Sequence, residues 1–180
     1  MKVSSFSIGS VPSHNEDCLK YENMGISGYA VVIADGMGGL PHGEVCATII
    51  SHIQANYKDF HSEFRILKTA LEKADSTIAV KGVNKYKCPM GTTIAAAIVT
   101  DYKIFYTWQG NVRIYLRQNG ILKLLTIDHT LDIGYASKEL HVASKERDYE
   151  MTFHSNLSDY QEGILCISAQ MVFTKRKKRY

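Results

Sequence analysis

The chain has 180 residues, of which 45% are hydrophobic and 22% charged, and this composition is typical of one globular domain with a sizeable core. The net charge of +3 requires no nucleic-acid or membrane partner, and without the basic run Lys175–Arg179 it would be −2. We expect no membrane segment and no signal peptide, because no apolar stretch is long enough.

The four cysteines lack the paired spacing of a metal site. Cys46 and Cys166 lie in apolar runs, and we expect both to be buried thiols. This cysteine usage favours a reducing compartment, so the sequence predicts a cytoplasmic protein.

The first strands are predicted near the N-terminus. Residues 1–8 could form an edge strand, residues 18–23 a short strand, and residues 28–34 a buried β-branched strand. Between the first two lies His14-Asn15-Glu16-Asp17, which is either a polar turn or a pair of acids of which only one can face a given site.

An acid and a glycine cluster follow the buried strand. Asp35 stands at the predicted strand end, and three glycines follow it within four residues: Gly36, Gly38 and Gly39. The cluster predicts a tight turn whose backbone approaches another group closely. A carboxylate beside open carbonyls is a natural site for a hard cation, and a plain flexible loop is the alternative.

Two amphipathic helices are predicted next. Apolar residues recur at helical spacing from Val45 to Tyr57 and again from Phe64 to Ile78. Each helix should lay one face on a core, and His52 is expected on the surface.

The pattern then changes to that of strands. Strands are predicted at residues 92–100, 104–108, 112–117, 121–126 and 164–167, and Asn119-Gly120 predicts a hairpin. The first four of these, joined by short turns, predict an antiparallel meander. Residues 130–160 are weakly patterned, with possible helical turns near 136–147. Strands, two helices and more strands indicate a layered α+β domain.

Five motifs resemble, in order and spacing, those of the PPM family of metal-dependent serine/threonine protein phosphatases, also called type 2C. They are Asn15-Glu16-Asp17, Ala34-Asp35-Gly36-Met37-Gly38-Gly39, Gly91-Thr92-Thr93, Gly110-Asn111-Val112-Arg113-Ile114-Tyr115 and Asp128-His129-Thr130. The resemblance implies a four-layer α-β-β-α sandwich with two central antiparallel sheets. It also implies a phosphatase-like domain over residues 1–170, incomplete at its C-terminus, and a basic tail over residues 171–180.

The resemblance further implies two Mg2+ or Mn2+ ions that share a water, which attacks the phosphorus of phosphoserine or phosphothreonine in a protein substrate. Asp35 resembles the acid that bridges both ions. The Gly36 carbonyl and Glu16 resemble ligands of the second ion, and Asp17 resembles an acid that orients ligand water.

Several positions depart from the family pattern. Pro12 replaces the arginine that grips the substrate phosphate, and protonated His14 is a weak substitute for it. Asn111 replaces an acid, and Ala169 stands where a metal-binding acid is expected. These departures predict one poor or moderate metal site and slow phosphatase chemistry.

Two function classes stay open. One is a metal-dependent phosphatase impaired by missing ligands, and the other is a non-catalytic phosphatase-like module that binds a partner or a phosphoprotein. The family's last helix and closing strands are missing, so a partner or self-association is expected to cover the gap. The change after Ser168 is explained equally by a shifted reading frame or truncated gene and by a naturally short protein.

Overall fold

The computed structural model describes two helices and nine strands in residues 17–25, 28–37, 43–57, 63–81, 91–101, 103–131, 138–139 and 163–168. The helices are α1 (Gly43–Asn56) and α2 (Glu63–Lys81). The strands are β1 (Cys18–Asn23), β2 (Tyr29–Met37), β3 (Gly91–Val99), β4 (Ile104–Gln109), β5 (Arg113–Gln118), β6 (Ile121–Leu124), β7 (Thr130–Leu131), β8 (Lys138–Glu139) and β9 (Gly163–Ser168).

The first sheet is antiparallel in the order β1-β2-β3-β4 and has a core on each face. Even-numbered residues of β2, such as Val32 and Ala34, pack with apolar residues of α1 and α2. Ile33 of β2 belongs instead to a second core with Ala95 and Trp108. Because side chains alternate along a strand, Asp35 shares the face of Ile33 and points away from the helices.

The second sheet has the order β6-β5-β9, and it closes the second core through Ile114 and Leu116 of β5, together with Val112 directly before that strand. A two-residue turn joins β5 to β6, with positive φ values of 52° at Asn119 and 78° at Gly120. These values fit the tight hairpin turn that Asn-Gly favours, so the predicted hairpin is confirmed. Two antiparallel sheets and a helical layer on the first sheet confirm the α+β sandwich.

Three details of the predicted elements are wrong. The four-strand meander is interrupted, because β4 and β5 belong to different sheets and Gly110, with φ 92°, turns the chain between them. Lys138 and Glu139 pair with β7 as a short strand, although helical turns were predicted there. Gly36 lies inside β2 and not in a turn, because β3 continues to pair with β2 as far as Met37.

The expectation of a Cys46 thiol is also wrong. Cys46 on α1 forms a disulfide with Cys18 on β1, with a Cα–Cα distance of 6.3 Å. Sequence spacing could not show this pair, because it depends on how α1 packs on the sheet edge. The cytoplasmic location stays a prediction, now without the support of a reduced Cys46. Among the described residues, no helix combines the length and apolarity needed to cross a bilayer.

His52 is buried, contrary to its predicted surface position. Its side chain on α1 is only 8% exposed, in a groove that Lys73 of α2 also lines. Asn56 donates a hydrogen bond to the His52 carbonyl at 2.8 Å, and its amide nitrogen lies 3.2 Å from His52 Nδ1. Burial lowers the pKa of His52, and the charge of Lys73 lowers it further.

Candidate metal centre

Asp35 provides a buried carboxylate near one end of the first sheet. Its side chain is 6% exposed and lies on the face of β2 that looks toward the second sheet. A buried carboxylate is costly unless hydrogen bonds or a cation compensate its charge. The surroundings of Asp35 therefore decide what this end of the sheet can bind.

The backbone after Asp35 directs a carbonyl toward the position where β1 stops. The Asp35 carbonyl accepts a hydrogen bond from Thr92 Oγ1 at 2.9 Å, which fixes it on the β3 side of β2. Because successive carbonyls of a strand point to opposite edges, the Gly36 carbonyl points to the β1 side. The β1–β2 pairing ends there at Cys18 and Ala34, so no described strand occupies this side of Gly36.

Asp17 is a described acid that directly precedes β1 at this end of the sheet. One further step in the β1–β2 register, beyond Cys18 and Ala34, would place Asp17 opposite Asp35. A second carboxylate at this position would add to the attraction of this end of the sheet for a cation. Glu16 and His14, the other predicted site residues, lie outside the described residues.

Thr93 adds a second oxygen beside Asp35. The register pairs Thr93 of β3 directly with Asp35 of β2, so both side chains lie on the same face of the sheet. The Thr93 hydroxyl is buried and finds no hydrogen-bond partner among the described residues. A buried hydroxyl without a partner is costly, and a ligand or ordered water at Asp35 would satisfy it.

Together these groups fit a hard cation such as Mg2+ or Mn2+. Asp35 supplies a carboxylate, Gly36 a carbonyl, and Thr93 a hydroxyl without a hydrogen-bond partner among the described residues. All three are oxygen donors, which such ions prefer. No cluster of three or more histidine, cysteine, aspartate or glutamate side chains with metal-binding geometry occurs in the described part of the chain. The described residues therefore offer a few oxygen donors of the kind that such an ion takes, with Asp35 as the buried carboxylate among them.

At the same end of the first sheet, hydrogen bonds connect the end of β4 to the segment after β6. Gly110, which follows β4, accepts a hydrogen bond from the His129 N–H at 3.0 Å, and its own N–H donates to His129 Nδ1 at 3.3 Å. The His129 ring stacks on Trp108, with ring centroids 5.7 Å apart. Trp108 Nε1 in turn donates to the Ile127 carbonyl at 2.8 Å. The segment after β6 is thereby fixed against β4.

Arg113 anchors this segment to the second sheet. Its Nε donates to Asp128 Oδ1 at 3.0 Å and its Nη2 to Asp128 Oδ2 at 2.7 Å, a two-point ion pair. The hydrogen bond that Arg113 donates to Asp128, and next the hydrogen bond between Arg113 and Tyr115, raise the pKa of Arg113. This pairing commits Arg113 to Asp128 and makes it a poor replacement for the phosphate-binding arginine that Pro12 displaces.

Thr93 and His129 were recognised in the sequence only as members of family motifs, and no role was predicted for either of them. Their positions depend on contacts between distant strands, Thr93 with Asp35 and His129 with Gly110. The sequence signals for these roles were the hydroxyl residues of Gly91-Thr92-Thr93 and the histidine that follows Asp128.

The fold is that of type 2C protein phosphatases. The profile of the family described as protein phosphatase 2C matches residues 2–133, so the chain belongs to this family. The predicted family resemblance is confirmed.

Individual relatives agree with this membership. The serine/threonine phosphatase stp of Listeria monocytogenes is 31% identical over 140 residues, which cover 68% of this chain and 52% of that protein. A putative protein phosphatase 2C-type from Streptococcus pyogenes is 29% identical over 140 residues, covering 73% of this chain and 56% of the relative. The chain thus spans about half the length of these relatives.

Among solved structures, the catalytic domain of the serine/threonine protein phosphatase PstP, in complex with two manganese ions, is similar to this chain. The two share 28% sequence identity and a TM-score of 0.53, and the match covers 68% of this chain and 53% of that one.

Proposed function

We propose that this chain carries the Asp35 part of a Mg2+- or Mn2+-dependent protein serine/threonine phosphatase centre and hydrolyses phosphoserine or phosphothreonine in protein substrates at a reduced rate. The observation that carries the proposal is the pairing of the buried Asp35 with Thr93, whose buried hydroxyl has no partner among the described residues, at one end of the first sheet. Membership in the type 2C family and the manganese complex of the PstP catalytic domain support it.

Each residue has a distinct role in this proposal. Asp35 and the Gly36 carbonyl bind the cation, Glu16 is a further ligand, and Asp17 and Thr93 orient water molecules by hydrogen bonds. When bound, divalent cations of this kind lower the pKa of a coordinated water and neutralise phosphate oxygens. His14 would contact the substrate phosphate when it is protonated.

The reduced rate follows from the donor set. Pro12 offers no hydrogen bond to phosphate, and neither Asn111 nor Ala169 supplies a carboxylate. Arg113 is committed to Asp128 and does not restore the missing positive charge. Loss of one metal from a two-metal mechanism removes most of the activation of the attacking water.

A non-catalytic phosphatase-like module is the second candidate. The same departures favour it. A chain that keeps Asp35 but has Ala169 in place of the expected acid could still bind a cation and a phosphorylated partner without turnover. In this case the phosphoprotein would be a binding partner and not a substrate.

Hydrolysis of a phosphothreonine peptide distinguishes the two candidates. Purified protein with Mn2+ should release phosphate slowly, and Asp35→Asn should abolish the release. Asp101→Asn, which changes an exposed acid in the turn before β4, is the matched control and should keep the wild-type rate. Release that is unaffected by Asp35→Asn would refute the enzyme proposal, and binding of the peptide without release would favour the module.

A further inference from the structure

The Cys18–Cys46 disulfide lies at the metal end of the first sheet. Cys18 is the first residue of β1 and directly follows Asp17, and its register partner Ala34 directly precedes Asp35. The bond therefore fixes the start of β1, directly after Asp17.

The other half of the disulfide lies on the helix that follows the glycine cluster. Cys46 is on α1, and its sequence separation of 28 from Cys18 means that the closed ring contains Asp35 and Gly36. Asp17 lies immediately outside this ring. The bond consequently limits how far the segment carrying Asp17 can move from Asp35.

β1 depends on this bond more than an interior strand would. Within the part of the chain that the structure describes, β1 pairs with one strand, β2, at the edge of the sheet, and it also packs against α1. Edge elements with few neighbours open locally at lower free energy than interior strands. Both cysteines are buried, with exposures of 8% and 1%, so exchange with an external thiol requires such an opening of β1.

We propose that Cys18 and Cys46 form a reversible dithiol–disulfide pair that controls the affinity of the Asp35 end for its divalent cation. This inference rests on the proposed metal site. In the oxidised protein, the bond holds Asp17 near Asp35. In the reduced protein, the start of β1 separates more often from β2, so Asp17 orients ligand water less well and the cation binds more weakly.

The reaction is a thiol–disulfide exchange with a low-molecular-weight disulfide such as oxidised glutathione. One cysteine thiolate attacks the external disulfide and releases one glutathione thiol, and the second cysteine displaces the other. One protein S–S bond forms, one external S–S bond breaks, and the two protons of the cysteine thiols end on the two glutathione thiols. An excess of reduced thiol reverses the exchange.

The test compares oxidised wild type with wild type reduced by a phosphine that is then removed under argon. Alkylation in denaturant should find two fewer reactive thiols in the oxidised form. Without metal, hydrogen exchange of the β1 amides should be faster in the reduced form. Calorimetry should show Mn2+ binding about fivefold or more tighter in the oxidised form.

Two variants provide the controls. Cys18→Ser/Cys46→Ser should show the β1 exchange and Mn2+ affinity of reduced wild type, with no change on reduction. Cys88→Ser keeps both bonded cysteines, so reduction should change its β1 exchange and Mn2+ affinity as it does in wild type. Equal β1 exchange and equal Mn2+ affinity in the two forms would overturn the inference. Faster β1 exchange with no Mn2+ binding in either form would refute the proposed metal site, and with it the metal coupling, while leaving the structural effect of the bond established.

Discussion

Asp35 and Thr93 lie directly opposite each other on β2 and β3, on the face of the first sheet that looks toward the second sheet. One contributes a buried carboxylate and the other a buried hydroxyl without a partner among the described residues. The proposed cation site depends on these two residues.

Replacing Thr93 by valine separates its proposed metal role from its structural role. We expect Thr93→Val to weaken Mn2+ binding about tenfold or more, because the hydroxyl no longer orients ligand water. The free energy of unfolding of the metal-free protein should stay equal or rise, because a buried unsatisfied hydroxyl is removed. Thr93→Ser keeps the hydroxyl and should bind Mn2+ as wild type does. Unchanged Mn2+ affinity in Thr93→Val would show that the hydroxyl does not serve the cation.

Gly28, before β2, is predicted to tolerate no side chain. Its φ of 107° is unfavourable for other residues, and a β carbon would overlap the carbonyl oxygen of Val99. We expect Gly28→Ala to lower the free energy of unfolding by about 2–4 kcal/mol. Gly25 is the matched control, because it also has a positive φ, 74°, but open space around it, so Gly25→Ala should cost about 1 kcal/mol. Urea unfolding gives both values, and equal losses would contradict the role of the Val99 contact.

His52 should make stability depend on pH. Its pKa is lowered in the folded protein by burial and by Lys73, so the unfolded chain binds the proton more readily. Stability should therefore fall as the pH drops below the unfolded value of about 6.5. Urea unfolding at about pH 7.5 and about pH 5.5 should show a smaller loss in His52→Gln than in wild type. An identical loss in both proteins would assign the pH dependence to other groups.

The Arg113–Asp128 pair should contribute modestly to stability. Both side chains are partly exposed, at 36% and 28%, so solvent screens their attraction. We expect Asp128→Asn to lower the free energy of unfolding by about 1 kcal/mol, the loss of one two-point ion pair. Arg117→Gln, which changes an exposed arginine on the same strand, is the control and should change stability little. A loss no larger than that of the control would mean that the pair does not anchor the segment after β6.

The sequence predicted most elements because they depend on local pattern. The apolar stripe of α2 and the Asn119-Gly120 turn are encoded by neighbouring residues, and the structure confirms both. The sheet change at Gly110 was missed, because a glycine break looks the same whether the chain reverses within a sheet or crosses to another. The Cys18–Cys46 bond was missed for a similar reason, since it joins an edge strand to a helix through tertiary packing alone.

The candidate site was predicted only in part. Asp35 and Gly36 were singled out from a strong local pattern, and both lie near one end of the first sheet, while their metal role stays a prediction. Thr93 could not be given a role, because its position beside Asp35 depends on pairing between strands more than fifty residues apart. The roles of Glu16 and His14 stay predictions.

The most direct test of the account is calorimetric titration of Mn2+ into oxidised wild type and Asp35→Asn. The substitution keeps the size of the side chain and removes its charge, so the fold should survive, and circular dichroism checks this. We predict measurable Mn2+ binding by wild type and its loss in Asp35→Asn, with Asp101→Asn binding as wild type does. Equal binding by wild type and Asp35→Asn would contradict the assignment of the metal centre to this end of the first sheet.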